Sequence, residues 1–220
     1  MKPWHRISSG IEKFQRERNT LLEDLQNLTQ PQIDFNPSSE VWSIGENIHH
    51  VVLAESVWQG YLAEILEEGS RNQGAVRAVS MEEVQYTSPL LPDVVMQSPF
   101  FLGPLSVMTG LIPTPIEALL VATPLFKIRA GPRMRPRHGL PRDTLLQFAH
   151  QIRETTLGIL SKTRDWDWDP ERFRISHPLF GSRDIYGIME LIRSHDQRHR
   201  RQIEAAKACR RFPKSRRTSG

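Results

Sequence analysis

At 220 residues, with 38% hydrophobic and 25% charged side chains, the chain is long enough for one domain with a well-buried core and has the composition of a soluble globular protein. A single cysteine, Cys209, excludes an intrachain disulfide and a multi-thiolate zinc cage, so any metal must be held by histidines and carboxylates. The formal charge of +4 belongs to the end of the chain: without Arg210, Arg211, Lys214, Arg216 and Arg217 the balance is −1, which argues against a nucleic-acid-binding body.

Ile7, Ile11, Phe14, Arg18, Leu21, Leu25 and Leu28 step by three and four, which predicts a first amphipathic helix with Arg18 snorkelling out of its apolar stripe. Gln30-Pro31 is expected to end it. Residues 34–39 read as loop, and Ser43-Ile44-Gly45-Glu46 has capping-box spacing, so a second helix should start near Ser43 and run to about Glu68. A third is expected over 141–162, with Asp143 in its first turn and Leu145, Phe148, Ala149, Ile152, Thr156, Ile159 and Leu160 facing inward. The fourth should begin near Ser182.

Residues 87–140, between the second and third helices, are rich in proline and also apolar. Proline prevents long helices, while the apolar content argues against disorder. The segment is expected to be an ordered crossover that covers the helices as a lid or pocket wall, with a short helix near 115–121. The expected fold is all-α: a four-helix bundle with a long Pro-rich crossover between the second and third helices. It should occupy residues 1–209 as one helical domain, followed by a basic flexible tail over 210–220. Residues 1–10 are polar and no stretch reaches the roughly 18 apolar residues of a membrane span, so no secretory signal and no membrane are expected, and the cytoplasm is the expected compartment.

The fourth helix carries the chemistry. Ile185, Ile188, Ile192, His195, His199, Ile203 and Ala206 form one stripe, so two imidazoles replace core aliphatics. At i, i+4 their Cβ atoms lie about 5 to 6 Å apart, close enough for both rings to ligate one ion. Buried imidazoles without partners are costly, and two separately hydrogen-bonded core histidines are the other way to satisfy them. A third ligand would come from the second helix, where His50 is in phase with Leu53, Ala54, Val57 and Tyr61, whereas His49 shares its side with Gly45, Val52 and Ser56. Periodicity favours His50 and leaves His49 open. Asp196, Arg198 and Gln202 read as exposed helix surface, or else as neighbours of the site, with Asp196 able to orient an imidazole. Trp166, Trp168 and Phe180 read as core plugs, and His177 before Pro178 as a turn residue.

Three segments carry a family resemblance: Trp42-Ser43 followed by Glu46, His50 and Glu55; His177-Pro178-Leu179-Phe180-Gly181; and His195-Asp196-Gln197-Arg198-His199-Arg200-Arg201-Gln202-Ile203. In order and separation, across about residues 7–208, the sequence resembles the DinB-like (YfiT-like) metalloenzymes. The resemblance implies a four-helix bundle with a three-histidine metal centre, here His50, His195 and His199, holding a divalent ion such as zinc or nickel. Members with an assigned activity use a low-molecular-weight thiol as cosubstrate, as S-transferases or isomerases, and are often homodimers. The implied function is a metal-dependent thiol S-transferase acting on a small electrophile.

Three neutral imidazoles leave a bound cation fully charged, so a thiol of ordinary pKa about 8.5 would ionise near neutral pH beside it. The same donor set would also serve a metal-dependent hydrolase, or a non-enzymatic protein in which the metal staples helices together. Lys127, Arg129, Arg133, Arg135 and Arg137 read as a solvated basic loop, or as a clamp for the carboxylates or phosphate of a thiol cofactor.

Overall fold

The structure, a computed structural model, describes residues 3–84, 130–178 and 180–214. The first helix, α1 (Pro3–Gln26), is followed by a single turn, α2 (Gln30–Ile33). The first helix thus stops at Gln26, short of the expected Gln30-Pro31; Pro31 lies instead in the first turn of α2, where its missing N–H is not needed. The long helix α3 (Ile44–Asn72) starts where the capping box predicts: Ser43 Oγ accepts from Glu46 N at 3.1 Å, and Ser43 N donates to Glu46 Oε2 at 2.8 Å.

Two consecutive residues at positive φ, Gln73 (53°) and Gly74 (157°), end α3 and turn the chain into strand β1 (Ala75–Ala78) and a short α4 (Met81–Val84). Beyond a 3-10 turn at Pro132–Met134 come α5 (Arg142–Ser161), β2 (Phe173–His177), β3 (Gly181–Asp184) and α6 (Ile185–Lys207). Most of the crossover, and the short helix expected near 115–121, lie outside the described residues.

The molecule is dominated by helix, but the all-α expectation is corrected by a three-stranded sheet in the order β1-β2-β3, with β1 parallel and β3 antiparallel to β2. The strands escaped the sequence reading because they are four, five and four residues long, and only β2 alternates, burying Phe173, Ile175 and His177. The HPLFG segment is the β2–β3 hairpin. His177 pairs with Gly181, whose φ of 67° suits glycine, and Phe180 N donates to His177 Nδ1. Strand β3 takes Ser182, so α6 begins at Ile185, capped by Asp184 accepting from Gly187 N at 2.8 Å. The sheet lies close against α3, since a Cβ on Gly69 would stand 2.0 Å from Phe173 Cε1.

Helix α1 packs on α5 and α6, and α3 packs on the same two. The apolar core falls into two clusters. One gathers Ile7, Phe14, Trp58, Leu62, Ile188 and Ile192 with the sheet; the other gathers Leu21, Leu25, Ile48, Leu145, Ala149 and Ile203. Between them, every long helix contributes buried polar residues: Arg18 from α1, His50 and Glu55 from α3, Thr156 from α5, and Asp196 and His199 from α6. Arg18 does not snorkel; it has no exposed surface at all. The inner face of α5 is Leu145, Ala149, Arg153, Thr156 and Leu160; Phe148 is turned outward at 39% exposure, and Arg153 turns in to donate to Asn19 Oδ1 and Gln15 O.

Residues 210–214, assigned by sequence to the tail, return to α2. Phe212 meets Phe35 edge-on at 5.5 Å, and Gln32 Nε2 donates to Pro213 O. Among the described residues, no helix is long and apolar enough to cross a membrane.

Candidate metal centre

His50, His195 and His199 offer ring nitrogens that all lie within 4.8 Å of one another. The His195 and His199 Nε2 atoms are 3.1 Å apart. Two nitrogens about 2.1 Å from a shared ion, at coordination angles of 90 to 110°, would be about 3.0 to 3.4 Å apart. The rings face one another with centroids 4.5 to 5.1 Å apart, and Trp42 closes one side, 4.7 Å from His50 and stacked 6.2 Å from His199.

Hydrogen bonds outside the cluster fix which nitrogens face inward. His50 Nδ1 lies 2.7 Å from Met134 O, a carbonyl that can only accept, so Nδ1 carries the proton and Nε2 is left with its lone pair. The same holds for His199. Asn47 Nδ2 donates to Ser43 O (2.9 Å) and Trp42 O (3.3 Å), which turns Asn47 Oδ1 toward His199 Nδ1 at 2.8 Å and leaves His199 Nε2 unprotonated. Capping geometry at the start of α3 thus sets the tautomer of a ring on α6. Outer partners of this kind accompany metal-ligating histidines and raise their basicity toward an ion.

Burial is the main cause holding these rings neutral. It pushes His50 down to about 4, with Arg198 and His49 adding to the effect and the Met134 carbonyl opposing it. His195 and His199 are driven well below the ordinary imidazole value by burial first, then by each other's neighbourhood, including His50 and Arg198. Neutral imidazoles with inward lone pairs are what a divalent cation requires, so the residues fit the ion.

The structure separates the two candidates on α3. His50 joins the cluster; His49 is buried as well, not exposed, but points elsewhere, accepting at Nδ1 from Arg137 N at 2.9 Å. His177 lies in the hairpin against Trp58 and Phe180, away from the triad. Arg133, Arg135 and Arg137 are exposed, while Lys127 and Arg129 lie outside the described residues.

The sequence reading missed a charged assembly beneath the histidines. Arg18 grips Asp196 through Nε and Nη2 (2.8 and 3.0 Å), and the same Nη2 lies 2.8 Å from Glu55 Oε2. Thr156 donates to Glu55 Oε1 at 2.7 Å. Asp196 therefore serves Arg18, not an imidazole, and has no exposed surface. The legible signal was ionisable residues of opposite sign inside apolar stripes of three helices.

A family model of the DinB superfamily matches residues 13–203. No curated protein and no solved structure matches the chain.

Proposed function

The chain belongs to the DinB superfamily, and from that premise we propose that it is a metal-dependent enzyme which activates a low-molecular-weight thiol for attack on a small electrophile. The observation that carries the proposal is the convergence of His50, His195 and His199, with the Nε2 lone pairs of His50 and His199 turned inward. A divalent cation held there, zinc or nickel as the family resemblance implies, would supply positive charge that lowers the pKa of an incoming thiol from about 8.5.

The rest is done by the protein. Met134 O and Asn47 Oδ1 hold two rings in the ligating tautomer, and Trp42 walls one side against water. The frame we propose for this is a four-helix bundle of α1, α3, α5 and α6, with the site at mid-height. In the reaction the sulfur forms a bond to carbon as an epoxide C–O bond opens and the oxygen takes up a proton, or as chloride leaves an arene. Low-molecular-weight thiols are kept reduced in the cytoplasm, the compartment this reading assigns.

The test is thioether formation from an epoxide or a chlorinated arene with bacillithiol, glutathione or coenzyme A. Turnover should require added metal and vanish in His195→Ala. Absence of metal-dependent turnover with every donor, or ester or amide cleavage indifferent to thiol, would replace this reading with the hydrolytic or the non-enzymatic one.

A further inference from the structure

Three arginines on α6 lie near the polar layer, and two have carboxylate partners: Arg193 pairs with Glu190, and Arg200 with Glu17 at 2.9 Å. Arg198 is different. It is half-buried, and among the described residues it makes no hydrogen bond and no ion pair. It stands three residues after His195 and one before His199 on α6, within a turn of both. A guanidinium drawn from water without a counter-charge is an expensive arrangement.

Among the described residues, the surrounding charges do not supply a partner. The Arg18, Glu55 and Asp196 assembly carries one net negative charge, but its three groups are already paired to one another. A divalent cation on the histidines would add two positive charges beside Arg198. What balances this neighbourhood is an incoming anion, and the planar fork of a guanidinium suits a carboxylate best.

We infer that Arg198 is a binding residue that receives a carboxylate of the reacting partners at the three-histidine site. This deepens the proposed function by naming a substrate class: either the thiol or the electrophile is a small carboxylic acid.

The experiment is calorimetric titration of the zinc-loaded full chain with 3-mercaptopropionate, 2-mercaptoethanol and propionate. The expected result is that 3-mercaptopropionate binds at least tenfold more tightly than 2-mercaptoethanol. Arg198→Gln should lose tenfold or more for both carboxylates and leave 2-mercaptoethanol and zinc stoichiometry unchanged, while Arg198→Lys recovers part of the loss.

If propionate and 2-mercaptoethanol bind together, the carboxylate belongs to the electrophile; if they exclude each other, it belongs to the thiol. Carboxylate affinity unchanged in Arg198→Gln, with zinc and thiol still bound, overturns this inference alone. Arg198-dependent binding of propionate by a chain that takes up neither zinc nor thiol would sustain it and remove the proposed function instead.

Discussion

Arg18 and Asp196 are separated by 178 residues of chain and meet through two hydrogen bonds, 2.8 and 3.0 Å long, out of reach of solvent. This contact ties the first helix to the last directly behind the histidine pair, and Glu55 brings in α3 from the other side. Breaking a buried ion pair leaves an uncompensated charge and costs more than the intact pair contributes.

Arg18→Met strands two carboxylates in the core, and a loss of about 3–5 kcal/mol is expected from urea unfolding. Asp196→Asn leaves Arg18 and Glu55 as a balanced pair and should cost less, about 1–2 kcal/mol. Equal losses for the two variants would contradict the charge assignment of the assembly.

His177 provides a pH prediction independent of any metal. Burial pushes its imidazole down to about 3 in the folded chain, with Glu83 opposing, whereas the unfolded chain takes up that proton near 6.5. Its contribution to stability is complete above pH 6.5 and drains away as pH falls toward 3, amounting to about 3 kcal/mol lost by pH 4. His177→Phe, which keeps a ring against Trp58 and Phe180, lacks this dependence. Unfolding curves at pH 7 and pH 4 should therefore show the stability gap between wild type and variant moving by that amount in the variant's favour.

Asn47 and His49 separate orientation from ligation. Zinc affinity measured by competition with a chelator should fall about 10- to 100-fold in Asn47→Ala, which frees the His199 ring. It should hold within about twofold in His49→Gln, whose imidazole is engaged with the Arg137 backbone outside the cluster. A larger loss in His49→Gln than in Asn47→Ala would reverse the ligand assignment on α3.

The parts of the molecule written in local periodicity were legible in the sequence. The Ser43 and Glu46 box, the α5 boundaries and the i, i+4 histidines all depend on residues within a turn or two of each other. Phase favours His50 without settling the choice, and the family resemblance is what names it. What stayed hidden depends on partners far apart in the chain. Arg18 in an apolar stripe is indistinguishable from a snorkelling side chain until Asp196 and Glu55 are seen beside it. Strand β3, Gly181–Asp184, has almost no apolar content and exists because β2 offers it a ladder. Periodicity leaves His49 open because its burial comes from residues 137 and 148, which no helical wheel of α3 contains.

The division of the core into two oily ends around a charged waist also governs register. A slide of α1 by one turn, about 5.4 Å along its axis, would drive the Arg18 guanidinium into the aliphatic neighbours of Phe14 or of Leu21 and leave both acids bare. The helices are therefore keyed lengthwise like the wards of a lock, and the distance between the α3 and α6 imidazoles is set by that keying.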